Sequence, residues 1–485
     1  MEAEVGLVAW LEALFGAYLV APLSEVIFFD LAFFDPEVEL PLVVVWLILG
    51  ATFFTLRFQF VNFRAFRHAL DCVRGAYSSP DDPGEISHFQ ALSAALSATV
   101  GLGNIAGVAV AVGLGGPGAV FWMFVAGLLG MSSKFAECTL GQRYRHVRED
   151  GRVSGGPMHY LRDGLAELGW PRLGRSLAAL FAVLCIGGSF GGGNMFQANQ
   201  AYAQIESVLP FLDGTLGATV FGLALATMVG LVIIGGIRRI GEVAAVLVPF
   251  MCGLYVLAGM TILLVHADSL HESLLVIIRG AFEPDAAYGG FVGVLIQGFR
   301  RAAFSNEAGI GSAAIAHSAA STREPVREGI VALLEPFIDT CVVCLMTGLV
   351  LVATGAHTHA AAGDGISMTS YAFATVFPWY PAVLSITAAL FAFSTQISWS
   401  YYGEQSWISL FGLRSALLYK LLFLFCVWFG AVSKLDQVVE FSDLMILGMA
   451  FPNILGVALL SGKVRTLLDD YLARLRAGVF DRSEP

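Results

Sequence analysis

The sequence predicts an all-α polytopic membrane protein of about eleven spans, folded as two inverted five-span halves. Its 485 residues are 57% hydrophobic and only 13% charged, about half the charge of a soluble globular chain. Apolar runs of spanning length recur along the chain, and the basic residues fall almost entirely on one side of them. Two of the runs are interrupted at matching places by glycine beside asparagine.

The composition argues against a water-soluble enzyme and against a disordered chain, because so apolar a sequence cannot stay solvated. A net charge of −11 with no basic tail argues against a nucleic-acid partner. Seven scattered cysteines (72, 138, 185, 252, 341, 344 and 426) give no disulfide framework. Cys341 and Cys344 lie inside an apolar run with no second pair, which favours packing over metal or redox chemistry. His357 and His359 fit a solvated outer loop better than a metal site, and no metal centre is expected.

Residues 1–40 hold eight acids and no Lys or Arg. A secretory signal needs a basic start, so the segment is read as an outer amphipathic stretch. A helix crosses the hydrocarbon core in about 20 apolar residues. Candidate spans fall near 41–57, 91–113, 117–140, 178–207, 215–235, 242–265, 289–311, 328–354, 380–400, 414–432 and 442–461. With the N-terminus outside, 21 of the 27 Lys and Arg residues fall on inner segments and two (Arg279, Lys434) on outer ones. Basic residues favour the cytoplasmic side, so the C-terminus is expected inside a cell membrane. The connections 58–90 and 141–176 are too short and apolar to fold alone. The expectation is therefore one membrane domain over 41–462, followed by a cytoplasmic tail over 463–485.

The second span carries Ser97-Ala98-Thr99-Val100-Gly101-Leu102-Gly103-Asn104, and the seventh carries Phe304-Ser305-Asn306-Glu307-Ala308-Gly309-Ile310-Gly311. An offset of five spans reverses direction, which predicts repeats over 91–265 and 289–461 with 41–57 peripheral. Interrupted helices at matching positions of inverted halves mark a transporter's central site. Freed amides at a half-helix start attract a carboxylate, and unwound carbonyls hold a dehydrated cation. Gly103 and Gly107 also fit a packing GxxxG pair.

Further motifs are Lys134-Phe135-Ala136-Glu137, Gly193-Asn194-Met195-Phe196-Gln197, Glu335-Pro336-Phe337-Ile338-Asp339, Ser394-Thr395-Gln396-Ile397-Ser398-Trp399 and Phe451-Pro452-Asn453. Together these stretches, over about residues 40–460, resemble the alanine-or-glycine:cation symporter family. The resemblance implies a leucine-transporter-like fold and sodium-driven import of a small neutral amino acid, alanine or glycine. It places substrate contacts on Thr99, Gly103, Asn104, Ile105, Gln197, Thr395 and Trp399, with Asn306 to Ile310 closing the pocket. Coupling sodium falls on carbonyls from Thr99 to Leu102 and on the hydroxyls of Ser394 and Thr395. This sequence has Leu102-Gly103-Asn104 where some members have Thr-Gly-Asn, and Ser398-Trp399 where Gly-Trp is common.

The residues fit these roles chemically. Amides near Gly103 and Asn104 suit a carboxylate. The Asn104 side chain adds a donor, and the Gln197 carbonyl accepts from an ammonium. Sodium prefers oxygen ligands, although helical Ser and Thr hydroxyls usually bond back to the preceding turn. Glu307 would reach Arg301 only across a broken helix. Glu335 and Asp339 share a face, where they would line an inner vestibule or pair with Arg323 or Arg327. Proton coupling through Glu307, Glu335 or Asp339 is the alternative, with a membrane enzyme or channel behind it. The bilayer, the amino acid and sodium are the expected partners, without an obligate protein partner.

Overall fold

The computed structural model describes residues 21–33, 39–148, 151–283, 290–359, 365–433 and 435–480. Most of the acidic N-terminal segment lies outside them; within them, Ala21–Ile27 is a short helix and Asp30 bridges Pro41. The principal helices are α1 (Leu42–Arg57), α2 (His88–Thr99), α3 (Ala106–Gly115), α4 (Gly118–Arg143), α5 (Pro171–Val208), α6 (Gly214–Ile233) and α7 (Gly236–Val265). They continue as α8 (Ala267–Phe282), α9 (Gly290–Asn306), α10 (Ala313–His317), α11 (Pro325–Ala353), α12 (Ile366–Ala374), α13 (Tyr380–Phe411), α14 (Leu413–Val432), α15 (Leu435–Gly448) and α16 (Ala450–Arg476).

All eleven apolar segments fall on helices, but the count of spans by length is smaller. Eight helices among the described residues are long and apolar enough to cross a membrane, and a ninth forms if α2 and the bent segment after it count together. The remaining two, α1 with 16 residues and α9 with 17, fall short of the roughly 20 that crossing needs. Two amphipathic helices, α8 and α12, were not expected. They occupy the connections after α7 and α11.

Local sequence accounts for the irregular points that shape the centre. Ser87 and Gln90 form a reciprocal cap that starts α2. Proline cannot donate a backbone hydrogen bond, and α11 passes from α to π geometry over Phe337–Cys344 directly after Pro336. A second π turn, Gly191–Met195, interrupts α5. Such bulges rotate the side chains that follow them relative to a regular helix, and here those include Asp339 and Gln197. The glycines before Gln197 admit neighbouring helices: a Cβ on Gly187 or Gly192 would run into Met445 or Ile446 of α15, and one on Gly193 into Trp399 of α13.

The helix α4 is buried against α1, α9 and α11, and α13 against α2 and α5. The expected tail does not start as loose chain. It continues as α16 to Arg476, with Val464, Leu468 and Tyr471 buried and Tyr471 2.8 Å from His68.

Candidate functional site

The first break lies between α2 and α3. After Thr99 the chain extends through Val100 and Gly101, tightens into a 3-10 turn over Leu102–Asn104, and restarts at a 57° bend. Asn104 holds this shape by accepting from the Gly101 amide at 2.8 Å. The backbone at Gly101 is crowded by two side-chain oxygens. A Cβ built there would lie 2.6 Å from Thr395 Oγ1 and 3.3 Å from Gln197 Oε1. Gln197 Oε1 also stands 3.4 Å from the Leu102 amide. Thr395 Oγ1 is buried and finds no hydrogen-bond partner among the described residues.

The second break follows α9. Glu307 takes a left-handed conformation (φ 56°), with Gly309 (φ 89°) and Gly311 (φ 91°) after it. A glutamate in that region costs about 1–3 kcal/mol and persists only when its surroundings hold it. They do: Trp399 Nε1 donates to Glu307 Oε1 at 2.9 Å, and the Ser312 hydroxyl donates to Oε2. Asn306 caps the Ala308 amide at 2.9 Å and donates to Thr340 Oγ1 at 2.9 Å.

Asp339 joins the two breaks. Asn104 Nδ2 donates to its Oδ1 at 2.6 Å, while Ser305 and Thr340 donate to its Oδ2 at 2.9 and 2.7 Å. One face of a buried carboxylate thus addresses the first break and the other the second. Around this core lies a chain of buried charge. Lys134 donates to Glu335 at 2.8 Å, Glu335 Oε2 lies 3.6 Å from His317, and His317 and His88 both pair with Glu328. Buried ions are costly unless paired and hydrogen-bonded, and here Lys134 meets Glu335 while Glu328 lies between two imidazoles.

A cavity of about 430 Å³ opens near one end of α13, lined by Glu85, Arg148, Arg238, Tyr401, Glu404 and Lys420. Between it and Thr395, Ser398 and Tyr402 repeat at i+3 and i+7 on one helix face. The hydroxyls of all three are buried without a partner among the described residues.

Known proteins resemble this chain over most of its length. The model of the sodium:alanine symporter family matches residues 31–484. The chain belongs to that family. A sodium/alanine symporter, AgcS, of Methanococcus maripaludis is 39% identical over 427 residues, covering 87% of this chain and 92% of the relative. A probable sodium/glutamine symporter, GlnT, of Bacillus subtilis is 35% identical over 442 residues, covering 90% and 89%. Among solved structures, MhsT in complex with L-phenylalanine aligns with a TM-score of 0.52 at 14% identity, over 79% of this chain and 99% of that one. That likeness concerns the fold, which is leucine-transporter-like. The protein is a multi-pass membrane symporter of the amino-acid class and not an enzyme.

The fold gathers only part of the set expected from family resemblance. Gly101, Gln197 and Thr395 converge at the first break. Thr99, Leu102, Gly103, Asn104, Ile105, Ser394, Trp399, Asn306 and Ile310 are all buried in or beside the breaks. Several have their polar groups already engaged. The Thr99 hydroxyl bonds back to Ala95 at 3.3 Å and that of Ser394 to Phe391 at 3.0 Å. Both ends of the Asn104 amide are taken within the protein, as are both ends of Asn306.

Three expectations about partners are corrected. Arg301 does not reach Glu307; with Arg300 it pairs with Asp443 of α15, at 2.6 and 2.8 Å. Glu335 pairs with Lys134 rather than with Arg323 or Arg327, and Asp339 has hydroxyl and amide donors. The GxxxG reading also fails at Gly107, where a Cβ would meet nothing within 4 Å. Glu137 lies one helical turn after Lys134 and is fully buried. Asn453 donates to it at 2.8 Å and to the Gly309 carbonyl at 2.9 Å, so it helps fix the second break. The sequence signal was a Lys and a Glu inside an apolar run, which is functional by default.

Proposed function

We propose that this protein imports a small neutral amino acid, alanine or glycine, by alternating access coupled to sodium. One observation carries the reading: the unwound backbone at Gly101 meets a buried hydroxyl without a partner among the described residues, Thr395 Oγ1, and an amide oxygen, Gln197 Oε1. A strip of main chain, a free hydroxyl and an acceptor suit a hard monovalent cation beside a zwitterion. The family match and the sodium/alanine relative point the same way.

In this reading sodium takes oxygens from Thr99 to Leu102 and from Thr395, with the Ser394 hydroxyl turning toward it from its own helix. The amino acid's carboxylate faces the amides of the first break, and its ammonium faces Gln197. Gly103, Ile105, Trp399 and Ile310 enclose a short side chain. Asn104 and Asn306 hold the two breaks in shape through Asp339 and Thr340. The repeats 91–265 and 289–461 rock around this centre while 41–57 stays peripheral, and the cavity beside Glu404 takes the released solutes. The N-terminus is outside and the tail is cytoplasmic.

The test is uptake of labelled alanine and glycine into proteoliposomes under an imposed sodium gradient. Saturable uptake abolished by replacing sodium with choline supports the proposal. Uptake indifferent to sodium and driven by a proton gradient overturns it.

A further inference from the structure

Between α4 and α5, a two-stranded hairpin (His146–Val147 with Val153–Ser154) and the helical turn after it bring together three side chains that chain order separates. One ring nitrogen of His146, one of His159 and a carboxylate oxygen of Asp163 lie within 4.8 Å of one another. His146 Nε2 is 3.0 Å from Asp163 Oδ2, and the two imidazole rings are 4.9 Å apart between centroids. His159 is only 9% exposed. Its Nε2 is bonded to Ser154 Oγ at 2.9 Å, while its Nδ1 is buried and has no partner among the described residues.

We propose that His146, His159 and Asp163 form a site for a divalent transition-metal ion, with Zn²⁺ the best fit. Two imidazoles and one carboxylate are a borderline-soft donor set that suits zinc over sodium, magnesium or calcium. Ligands about 2.0–2.1 Å from a tetrahedral zinc ion stand about 3.3 Å from one another, so a modest contraction closes the set. His146, with its side chain 55% exposed, has room to make that movement. His159 is already oriented, because the hydroxyl on its far nitrogen supplies the outer hydrogen bond that fixes a ligating imidazole. Three protein ligands leave a fourth position for water.

Arg162 currently serves as the counter-charge. It donates to Asp163 Oδ1 at 2.7 Å and to Oδ2 at 3.0 Å, and its Nη2 stands 3.5 Å from His146 Nε2. Metal binding displaces this guanidinium, so Arg162 tunes affinity downward. The site also has a route to the second break. Tyr160, next to His159, donates to Asn453, which in turn donates to the Gly309 carbonyl at 2.9 Å. Pinning the turn therefore holds that break, and occupied protein transports more slowly. This last consequence rests on the transport reading; metal binding does not.

The experiment titrates Co²⁺ and then Zn²⁺ into the purified full chain in detergent, read by visible absorption and calorimetry. One Co²⁺ per chain with tetrahedral d–d bands, displaced by Zn²⁺, is expected. His159→Ala and Asp163→Asn should each weaken binding at least tenfold, and Arg162→Gln should strengthen it severalfold. His146→Ala, at the exposed rim, gives the same loss without disturbing a buried position. No stoichiometric binding, or binding as tight as the wild type's by monodisperse His159→Ala and His146→Ala proteins, overturns the proposal.

Discussion

Asn104 and Asp339, 235 positions apart in the chain, are joined by a 2.6 Å hydrogen bond from the amide nitrogen to carboxylate Oδ1. The other oxygen of the same carboxylate takes Ser305, from the last turn before the second break. Whatever moves one interrupted helix relative to the other must therefore stretch or exchange bonds at Asp339. A buried donor or acceptor left without its partner costs about 1–3 kcal/mol. Asp339→Asn is expected to lower uptake by roughly tenfold or more. In a cycle with Asn104→Ala, the two effects should be non-additive by about 0.5–3 kcal/mol. Strictly additive losses would show that the pair is not a working link.

The two neighbouring hydroxyls of α13 should behave differently. Thr395 Oγ1 has no partner among the described residues, whereas Ser394 bonds back to its own helix. Thr395→Val exchanges the hydroxyl for a methyl of similar size and is expected to raise the sodium concentration for half-maximal uptake about tenfold, if one ligand of a cation is worth about 1.4 kcal/mol. Ser394→Ala is expected to change it less than threefold. Equal effects would mean that both hydroxyls serve the ion.

Two glycines of the first break make a sharper contrast. Gly101→Ala places a methyl 2.6 Å from Thr395 Oγ1, so uptake should be lost even in correctly inserted protein. Gly107→Ala meets nothing within 4 Å and should transport like the wild type. Dependence on Gly107 would restore the packing interpretation of that pair.

Trp399→Phe keeps an aromatic side chain, though a smaller one, and removes the donor to Glu307 Oε1. A buried acceptor left unsatisfied costs about 1–3 kcal/mol, on top of the strain already held at Glu307. The thermal midpoint in detergent should fall by several degrees, and Glu307→Gln combined with Trp399→Phe should recover part of that loss. No shift in the single variant would show that the bond is dispensable.

Beside the middle of α16, hydrogen bonds from Lys463 and Tyr144 hold the Glu167 carboxyl below the usual glutamate range. A lowered folded pKa stabilises above the ordinary value of about 4.3 and is lost as pH falls through the folded one. Half the Glu167 side chain is exposed, so the contribution is under about 1 kcal/mol. Lys463→Met should reduce stability slightly at pH 7 and not at all at pH 2–3. A loss that persists in acid would trace to packing of the lysine stem instead.

Local composition by itself determined the helices, the broken segments and the family. Spanning length and charge asymmetry are properties of short windows, so the eleven apolar segments were readable as written. The breaks were equally plain, because glycine and asparagine at membrane depth have few other uses. Side-chain partners were not readable. Arg301 turns to Asp443 instead of Glu307, Glu335 takes Lys134, and the Ser394 hydroxyl goes to its own helix. These choices depend on how the packed helices are turned and placed against one another, which no short window of sequence carries. The meeting of Asp339 with both breaks, and of His146 with His159 and Asp163, was decided only when the chain folded. Burial penalises an unpaired charge or amide, and only tertiary packing settles which partner lies within reach.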